Sequence, residues 1–214
     1  MSHAPELELF HPNRTALIVV DVQNDYCDPA GHFAQTGRAG DGAAAAIDQI
    51  ETLLPVARSA EIPVVFTRNV YDEPFLSPAI LARRRLKGQP GEFCIDGTWG
   101  ADFHRVAPGP VDYVVNKHRY GSFTGTNLGT ILRSRSVDSL VLCGVKTNVC
   151  VETTAREGYM LDQNVLVLSD ATATDSEDLQ ASTLENMRRY FGYVATTAEI
   201  ADFWREASAA NSPA

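Results

Sequence analysis

The sequence lacks the features that mark membrane-spanning, secreted or nucleic-acid-binding proteins. None of its apolar runs approaches the ~20 residues that span a bilayer. The stretch 1–11 is polar and acidic, without the apolar centre of a secretory signal. The 18 Lys and Arg residues are outnumbered by 27 Asp and Glu, so the formal net charge is −9. An acidic chain without a basic cluster argues against nucleic acid and against anionic membranes as partners.

Cysteine is scarce, and no nucleotide-binding motif is present. The four cysteines, Cys27, Cys94, Cys143 and Cys150, form no C-x-x-C pair. This spacing favours a reduced, cytoplasmic chain over a disulfide framework or a zinc ribbon. There is no G-x-x-x-x-G-K-[ST] string, and the glycines within 37–42 lack the spacing of a dinucleotide loop.

What the sequence does contain is an alternation of strand-like and helix-like segments. Short apolar runs typical of buried parallel strands occur at 15–20, 62–66, 111–115, 139–143, 164–168 and 193–195. Helical patterns occur at 42–59, 80–86, 127–135, 149–161, 176–190 and from 197 onward. Repeated β-α-β units predict a Rossmann-like, three-layer α/β/α fold with a central, mostly parallel six-stranded sheet. The 214 residues suit a single domain, 1–214, and we expect 1–12 and 208–214 to be flexible.

Sites in such sheets lie beyond the carboxyl ends of the strands, and three reactive side chains fall there. Asp21 follows the first apolar run, Lys117 the third, and Cys150 lies at the first turn of the predicted 149–161 helix. Singly, each has an ordinary structural explanation, as a turn residue, a solvated cation or a small apolar side chain. Together, the helix dipole and the ammonium would lower the pKa of the thiol. The carboxylate could take the thiol proton and return it to a leaving amine, so the set predicts acyl transfer through a thioester.

The strings around these residues resemble motifs of the isochorismatase-like cysteine hydrolases. The matching strings are Asp-Val-Gln-Asn-Asp at 21–25, Lys-His-Arg-Tyr-Gly-Ser-Phe at 117–123, Gly-Val-Lys-Thr-Asn-Val-Cys-Val-Glu-Thr-Thr-Ala at 144–155, and Asp-Ala at 170–171. The resemblance implies that Cys150 is the nucleophile, Asp21 the proton shuttle and Lys117 their electrostatic support. It also implies a cis peptide bond between Val145 and Lys146. The backbone N–H groups of Lys146 and Cys150 would form the oxyanion hole.

Within the family, the likeness is nearest to the ureidoacrylate and N-carbamoyl amidohydrolases. It implies cleavage of a C–N bond in a small amide, ureido or N-carbamoyl substrate, with release of ammonia or an amine. Nicotinamidases of the family carry a metal-binding Asp-x-His string after the second strand, whereas 67–74 here reads Thr-Arg-Asn-Val-Tyr-Asp-Glu-Pro. We therefore expect neither a metal nor another cofactor. The isochorismatases proper lack the cysteine, which disfavours vinyl-ether hydrolysis.

The same likeness makes Asn69, Tyr71 and Tyr120 candidates for the substrate pocket. Trp99 and Phe123 are equally consistent with a pocket wall and with ordinary core. Further candidates carry less weight. Gln23 is expected chiefly to orient the Asp21 loop, and a Cys–His dyad through His32 or His118 ranks below the lysine triad.

Several points stay open at this level. A silent binding protein or a vinyl-ether hydrolase on the same fold is the alternative to an amidohydrolase. The Lys146 side chain is expected to point away from the pocket, and the role of the long irregular stretch 72–109 is not decided. Members of the family are commonly dimers or tetramers, which implies a homodimer or homotetramer here.

Overall fold

Six parallel strands form the centre of the molecule in a computed structural model, which describes residues 4–38, 42–88 and 92–210. Most of them coincide with runs of β-branched and other apolar residues, as strands buried on both faces require. The strands are β1 (Thr15–Val20), β2 (Val64–Asn69), β3 (Tyr113–Lys117), β4 (Ser139–Val145), β5 (Asn164–Ala173) and β6 (Tyr193–Ala195). Every neighbouring pair is parallel, which confirms the predicted sheet.

The strand order β3-β2-β1-β4-β5-β6 creates a crevice at the middle of the sheet. The chain builds outward from β1 in one direction and from β4 in the other. The order therefore reverses between β1 and β4, where open α/β sheets bind their ligands. Asp21 follows β1 directly, and Cys150 follows β4 by a few residues. The topology alone thus brings these two positions to one crevice.

Helices cover both faces of the sheet. They are α1 (Asn24–Cys27), α2 (His32–Gln35), α3 (Ala43–Ser59), α4 (Pro78–Leu86), α5 (Leu128–Ser134), α6 (Glu152–Met160), α7 (Glu177–Asn186) and α8 (Thr197–Ala210). Helices α3 and α8 pack on one face, and α5, α6 and α7 on the other. In β1, Leu17 and Val19 face α3 while Ala16 and Ile18 face the opposite layer, as the two-residue period of a strand dictates. None of the helices in these ranges is long and apolar enough to cross a membrane.

The differences from the predicted elements lie mainly at their ends. β2 continues past its apolar run to Asn69 because its polar residues still pair with β3. β5 likewise continues to Ala173. Backbone pairing does not need an apolar side chain, so the lengths of the apolar runs underestimated the lengths of both strands. The predicted helix at 149–161 begins earlier, with a π-helical turn over Thr147–Val151, and continues as α6.

The expectation that 1–12 is flexible is wrong for the part of it that the structure describes. Pro5–Phe10 form a 3-10 helix whose Leu7 and Phe10 are buried against the α3 and α8 layer. Trp204 Nε1 donates a hydrogen bond of 2.9 Å to the Phe10 carbonyl. Acidic residues lie between these apolar residues, so the three-residue spacing of the apolar side chains was not recognised as a helical pattern in the sequence. At the other end, α8 continues to Ala210, and 1–3 and 211–214 lie outside the described residues.

Candidate active site

Asp21 is a buried carboxylate held at the carboxyl end of β1. Its backbone has φ 53°, a left-handed conformation that aspartate tolerates better than most residues. Thr67 Oγ1 donates to its Oδ1 at 3.0 Å, and Asn69 Nδ2 donates to its Oδ2 at 3.0 Å. Both donors come from the polar end of β2. A buried charge needs such partners, because an unpaired one is very costly.

Lys117 supplies the opposite charge from the end of β3. Its Nζ lies 2.7 Å from Asp21 Oδ2, and both side chains are fully buried. The ammonium also donates to the carbonyl oxygens of Arg119 and Tyr120, each at 3.0 Å. Burial has the largest single effect and acts to lower the pKa of Lys117, but its charge interactions and hydrogen bonds with Asp21 and Cys150 together outweigh burial and the pKa is raised. Lys117 is therefore a fixed cation rather than a proton carrier.

Cys150 enters the same crevice from the π-helical turn after β4. Asn69 Nδ2 lies 3.7 Å from its Sγ, so one amide group contacts both Asp21 and Cys150. The chain reaches this position through Gly144, which has φ +110° and would place a Cβ only 2.1 Å from the Val20 carbonyl oxygen. Glycine is thus required for β4 to pass β1 this closely. The peptide bond between Val145 and Lys146 is cis, as the resemblance implied.

The predicted direction of the Cys150 pKa is wrong. Burial raises the pKa of the thiol to about 12, and the negative charge of Asp21 adds to this effect. Lys117 acts in the opposite direction, but its charge is already neutralised by Asp21. The sequence indicated a nearby cation and a helix terminus, but it gave no indication that the thiol is removed from water. The resting site therefore holds a neutral thiol beside an ionised carboxylate–ammonium pair.

Cys150 lies at the floor of a pocket of about 490 Å³. Two of the expected pocket residues, Tyr71 and Tyr120, line it. Asn69 lies behind the sulfur, and its Oδ1 is buried without a hydrogen-bond partner among the residues that the structure describes. Asn69 therefore contacts the sulfur from within the protein and does not line the pocket.

Like Asn69, the other three candidates for the pocket do not line it. Gln23 is buried and uses its amide as a brace, donating to the carbonyls of Asn69 and Ala101 at 2.9 Å and accepting from the Asn69 N–H at 2.8 Å. Trp99 is 51% exposed and is absent from the pocket wall. Phe123 packs into the core between the sheet and the α5–α7 layer. For an aromatic residue in a loop, the sequence contains no periodic pattern that indicates which way its side chain points.

The Lys146 side chain, expected to point away, reaches the pocket wall. Its Nζ donates to the Arg38 carbonyl at 2.5 Å, forms an ion pair with Asp175 and lies 4.5 Å from the centroid of the Phe33 ring. Asp175 lies in the loop between β5 and α7, far from Lys146 in sequence. No local pattern around Lys146 indicates that partner.

Other wall residues were not identified from the sequence at all. The pocket is completed by Tyr26, Phe33, Arg38, Arg83, Phe93, Asn148, Val149, Thr153 and Asp175. Arg83 and Phe93 come from the irregular stretch 72–109, so this stretch forms part of the pocket wall. Neither histidine proposed for a dyad contacts the sulfur: His118 bonds to the Val70 carbonyl at 2.7 Å, and His32 stacks on Phe93. Within the described ranges, no group of three or more His, Cys, Asp or Glu side chains could hold a metal ion.

The sequence model of the isochorismatase domain matches residues 15–199. The chain belongs to the isochorismatase family. It is 35% identical over 210 residues to the ureidoacrylate amidohydrolase RutB of Caulobacter segnis, covering 92% of this chain and 88% of that protein. The protein of the same name from Azorhizobium caulinodans is 36% identical over 205 residues, covering 89% of each. The predicted family is confirmed.

Solved structures agree with this assignment. A cysteine hydrolase from Pseudomonas syringae pv. phaseolicola superposes with a TM-score of 0.82 at 31% identity, covering 92% of this chain and 95% of that one. N-carbamoylsarcosine amidase from Thermoplasma acidophilum gives a TM-score of 0.72 at 26% identity, covering 86% and 96%. The three-layer fold predicted from the sequence is that of these hydrolases.

Proposed function

We propose that the chain is a cysteine-dependent amidohydrolase that cleaves a C–N bond of a small ureido, N-carbamoyl or amide substrate. The observation that carries this proposal is a buried Asp21–Lys117 ion pair beside the thiol of Cys150, which lines the pocket; Asn69 Nδ2 contacts both Asp21 Oδ2 and Cys150 Sγ. The curated relatives named ureidoacrylate amidohydrolase support the bond type. The lack of an Asp-x-His string at 67–74 supports a reaction without metal or other cofactor, and that expectation stays a prediction.

The reaction begins from a neutral thiol. As Sγ of Cys150 attacks the carbonyl carbon, its proton passes to the Asp21 carboxylate, so no free thiolate has to exist in the buried site. The tetrahedral intermediate collapses, the C–N bond breaks, and Asp21 returns the proton to the leaving nitrogen. A thioester on Cys150 remains, and ammonia or an amine leaves.

The second half repeats these steps with water. Asp21 takes a proton from the water as its oxygen attacks the thioester carbon, and the proton then returns to the departing sulfur. The products are a carboxylic or carbamic acid and the original thiol. Lys117 stays charged throughout. When Asp21 is protonated, the negative charge lies on the oxyanion or on the departing sulfur, so Lys117 always has an anion nearby.

Two groups complete the site in this proposal. The backbone N–H groups of Lys146 and Cys150 stabilise the oxyanion, and loss of one such donor typically costs ~10²–10³ in kcat.

Replacing the nucleophile tests the proposal. Cys150→Ala and Cys150→Ser are expected to abolish ammonia release from 3-ureidoacrylate and 3-ureidopropionate and to leave the circular dichroism spectrum unchanged. Cys143→Ala is the matched control, since Cys143 is a buried cysteine of β4 that packs against the opposite layer. Retained ammonia release in Cys150→Ala would exclude the thioester route, whereas a vinyl-ether hydrolase would release no ammonia with or without Cys150.

We further propose one domain, assembled as a homodimer or homotetramer and working in the cytoplasm. Support for assembly comes from exposed apolar side chains around the end of α6 and the turn after α7: Tyr159, Met160, Leu161 and Tyr190. Support for a reducing compartment comes from the four free cysteines. Sedimentation velocity with a Met160→Glu variant tests assembly, because a charge buried in an interface would shift the protein toward a monomer.

A further inference from the structure

The ammonium group of Lys146 joins three segments of the chain at the pocket wall. Its Nζ donates a hydrogen bond to the Arg38 carbonyl at 2.5 Å and forms an ion pair with Asp175. It also lies 4.5 Å from the centroid of the Phe33 ring. Only 10% of the Lys146 side chain is exposed. The ammonium is therefore already engaged by groups of the protein itself, and it connects segments that are far apart in sequence.

The first of these segments, residues 33–38, carries an aromatic residue of the wall. The Arg38 N–H donates to the Phe33 carbonyl at 2.7 Å, and the Arg38 guanidinium carbon lies 4.1 Å from the Phe33 ring centroid. The Phe33 ring is buried, lines the pocket and is in edge contact with the rings of Tyr26 and Phe93. Because Arg38 and Phe33 are bonded to each other, the hydrogen bond from Lys146 to the Arg38 carbonyl also holds the Phe33 ring in place.

The second segment is the loop after β5, residues 174–175. Its Asp175 is the ion-pair partner of Lys146 and lines the pocket. Thr174 Oγ1 donates to Asn148 Oδ1 at 2.5 Å, so the same loop is also bonded to the turn that carries Cys150. The loop is thus joined to this turn and its entry at two points, and Lys146 supplies one of them.

The third segment is the turn of the nucleophile, which Lys146 directly precedes. The Lys146 carbonyl accepts hydrogen bonds from the N–H groups of Val149 and Val151 at 3.1 and 3.2 Å. Lys146 is therefore fixed at its backbone by the π-helical turn of Cys150 and at its ammonium by the wall. Ordering a long lysine side chain costs conformational entropy, which several simultaneous contacts offset better than a single exposed ion pair does.

We propose that Lys146 is a positioning residue, whose ammonium anchors the 33–38 segment and the 174–175 loop to the turn of Cys150 and so sets the fit of the pocket around the substrate. The inference rests on the proposed function for its kinetic consequence, whereas the anchor itself is measurable without turnover. A wall that is held in place before binding saves the substrate the cost of ordering it. Loss of the anchor should therefore weaken binding more than it slows the chemical step.

A direct contact between Lys146 and an anionic substrate would predict a different result. In that case Asp175 would compete with the substrate for the ammonium, and Asp175→Asn would strengthen binding. An anchor needs Asp175, so Asp175→Asn should weaken binding. Asp175 is 44% exposed and lies in a loop, so this variant is expected to fold even where a change at Lys146 is not tolerated.

The kinetic experiment measures ammonia release from 3-ureidopropionate and from its neutral methyl ester. In Lys146→Met, which retains the apolar stem and the backbone N–H, KM for both compounds should rise at least fivefold and kcat should change far less. Asp175→Asn should raise KM in the same direction. The double variant should match Lys146→Met, because the ion pair is already lost there. Lys87→Met is the matched control, since Lys87 is exposed and does not line the pocket.

Limited proteolysis by trypsin measures the anchor directly. Trypsin cleaves the peptide bond that follows Arg38, and the carbonyl of this bond is the one that Lys146 holds. We expect cleavage at this bond, followed by mass spectrometry, to be at least fivefold faster in Lys146→Met than in the unsubstituted protein, with Asp175→Asn in between. Cleavage after Arg156, in α6, should keep its rate and serves as the reference for unfolding of the whole chain.

The outcomes separate this inference from the proposed function. Faster cleavage after Arg38, with no hydrolysis of either compound by the unsubstituted protein, would refute the amidohydrolase and leave the anchor standing. A lower KM in Asp175→Asn, or a KM in Lys146→Met that rises for the anion alone, would make Lys146 a substrate-binding cation and overturn the positioning role. Unchanged KM, additive losses in the double variant, or equal acceleration of cleavage after Arg38 and Arg156 would overturn it as well.

Discussion

Replacing Asp21 by asparagine should increase the ionisation of Cys150 and at the same time reduce turnover. Asparagine keeps the shape of the side chain and removes the negative charge that Lys117 now neutralises. The positive charge of Lys117 is then no longer neutralised by Asp21 and can stabilise the thiolate of Cys150. The Cys150 pKa should fall below its present value of about 12, because Asp21 is one of the groups that raise it.

The structure bounds the size of this effect. Asp21 Oδ2 and Cys150 Sγ lie 3.0 and 3.7 Å from the same Asn69 nitrogen, so they are within about 7 Å of each other. Two unit charges at about 7 Å interact by about 2.4 kcal/mol at an effective dielectric constant of 20. Since about 1.4 kcal/mol is a factor of ten, the thiolate population at a given pH should rise roughly fiftyfold.

Alkylation by iodoacetamide as a function of pH measures the thiolate, and ammonia release measures turnover. We expect alkylation of the folded Asp21→Asn protein to be at least tenfold faster at pH 8. Turnover should fall ~10²–10⁴-fold, because the proton acceptor is lost. Thr67→Val is the matched control, since it removes a hydrogen bond to Asp21 and retains the carboxylate.

The opposite pattern would refute the reasoning. Alkylation that slows or stays constant in Asp21→Asn would mean that Asp21 does not oppose ionisation of the thiol. Turnover that survives would mean that another group carries the proton. The variant is also expected to lose about 3–5 kcal/mol of unfolding free energy, since a buried ammonium has lost its partner. Circular dichroism therefore has to confirm a folded state before alkylation is read.

Two further predictions concern stability. Burial raises the pKa of both Cys143 and Cys150 above that of an unfolded thiol, so the folded chain keeps protons that the unfolded chain releases above about pH 9. The unfolding free energy from urea titration should therefore fall as pH rises from 9 to 11, by about 1.4 kcal/mol per pH unit for each such thiol. Cys143→Ala should show a smaller fall over the same range, since it has one such thiol fewer. An unfolding free energy that does not change with pH would contradict the raised thiol pKa values. Gly144→Ala should prevent folding or abolish activity, because its Cβ would lie 2.1 Å from the Val20 carbonyl oxygen. Gly125 also has a positive φ but has open space around it, so Gly125→Ala should lower the unfolding free energy by only about 1–2 kcal/mol. Similar losses at both positions would show that the positive φ, and not the close approach of β4 to β1, causes the loss at Gly144.

Much of the catalytic floor could be predicted because the fold converts sequence position into spatial position. Parallel strands end at one edge of a sheet, so a residue that follows an apolar run must lie at that edge. Asp21, Lys117 and Cys150 were found in this way and by their flanking motifs. Asn69 was expected in the pocket, although its contact with both Asp21 and Cys150 appears only in the structure.

The pocket walls followed no such rule. Trp99 and Phe123 were considered for the wall, whereas Phe33 and Phe93 were not identified at all, because an isolated aromatic residue in a loop or a single helical turn shows no period that indicates its direction. The structure places Phe33 and Phe93 in the wall, Trp99 at the surface and Phe123 in the core. The Lys146 side chain illustrates the same limit, since its partner Asp175 lies in a different loop.

The amino-acid sequence by itself determined the strands and helices and the positions of the three reactive groups at strand ends. These depend on local patterns: apolar runs, their spacing and the residues that end them. Only the tertiary structure decided the charge state of Cys150 and the character of the cleft. Desolvation and Coulomb interactions act through space, between groups that many intervening residues separate, so the thiol pKa and the set of side chains that line the pocket are fixed only once the chain has folded.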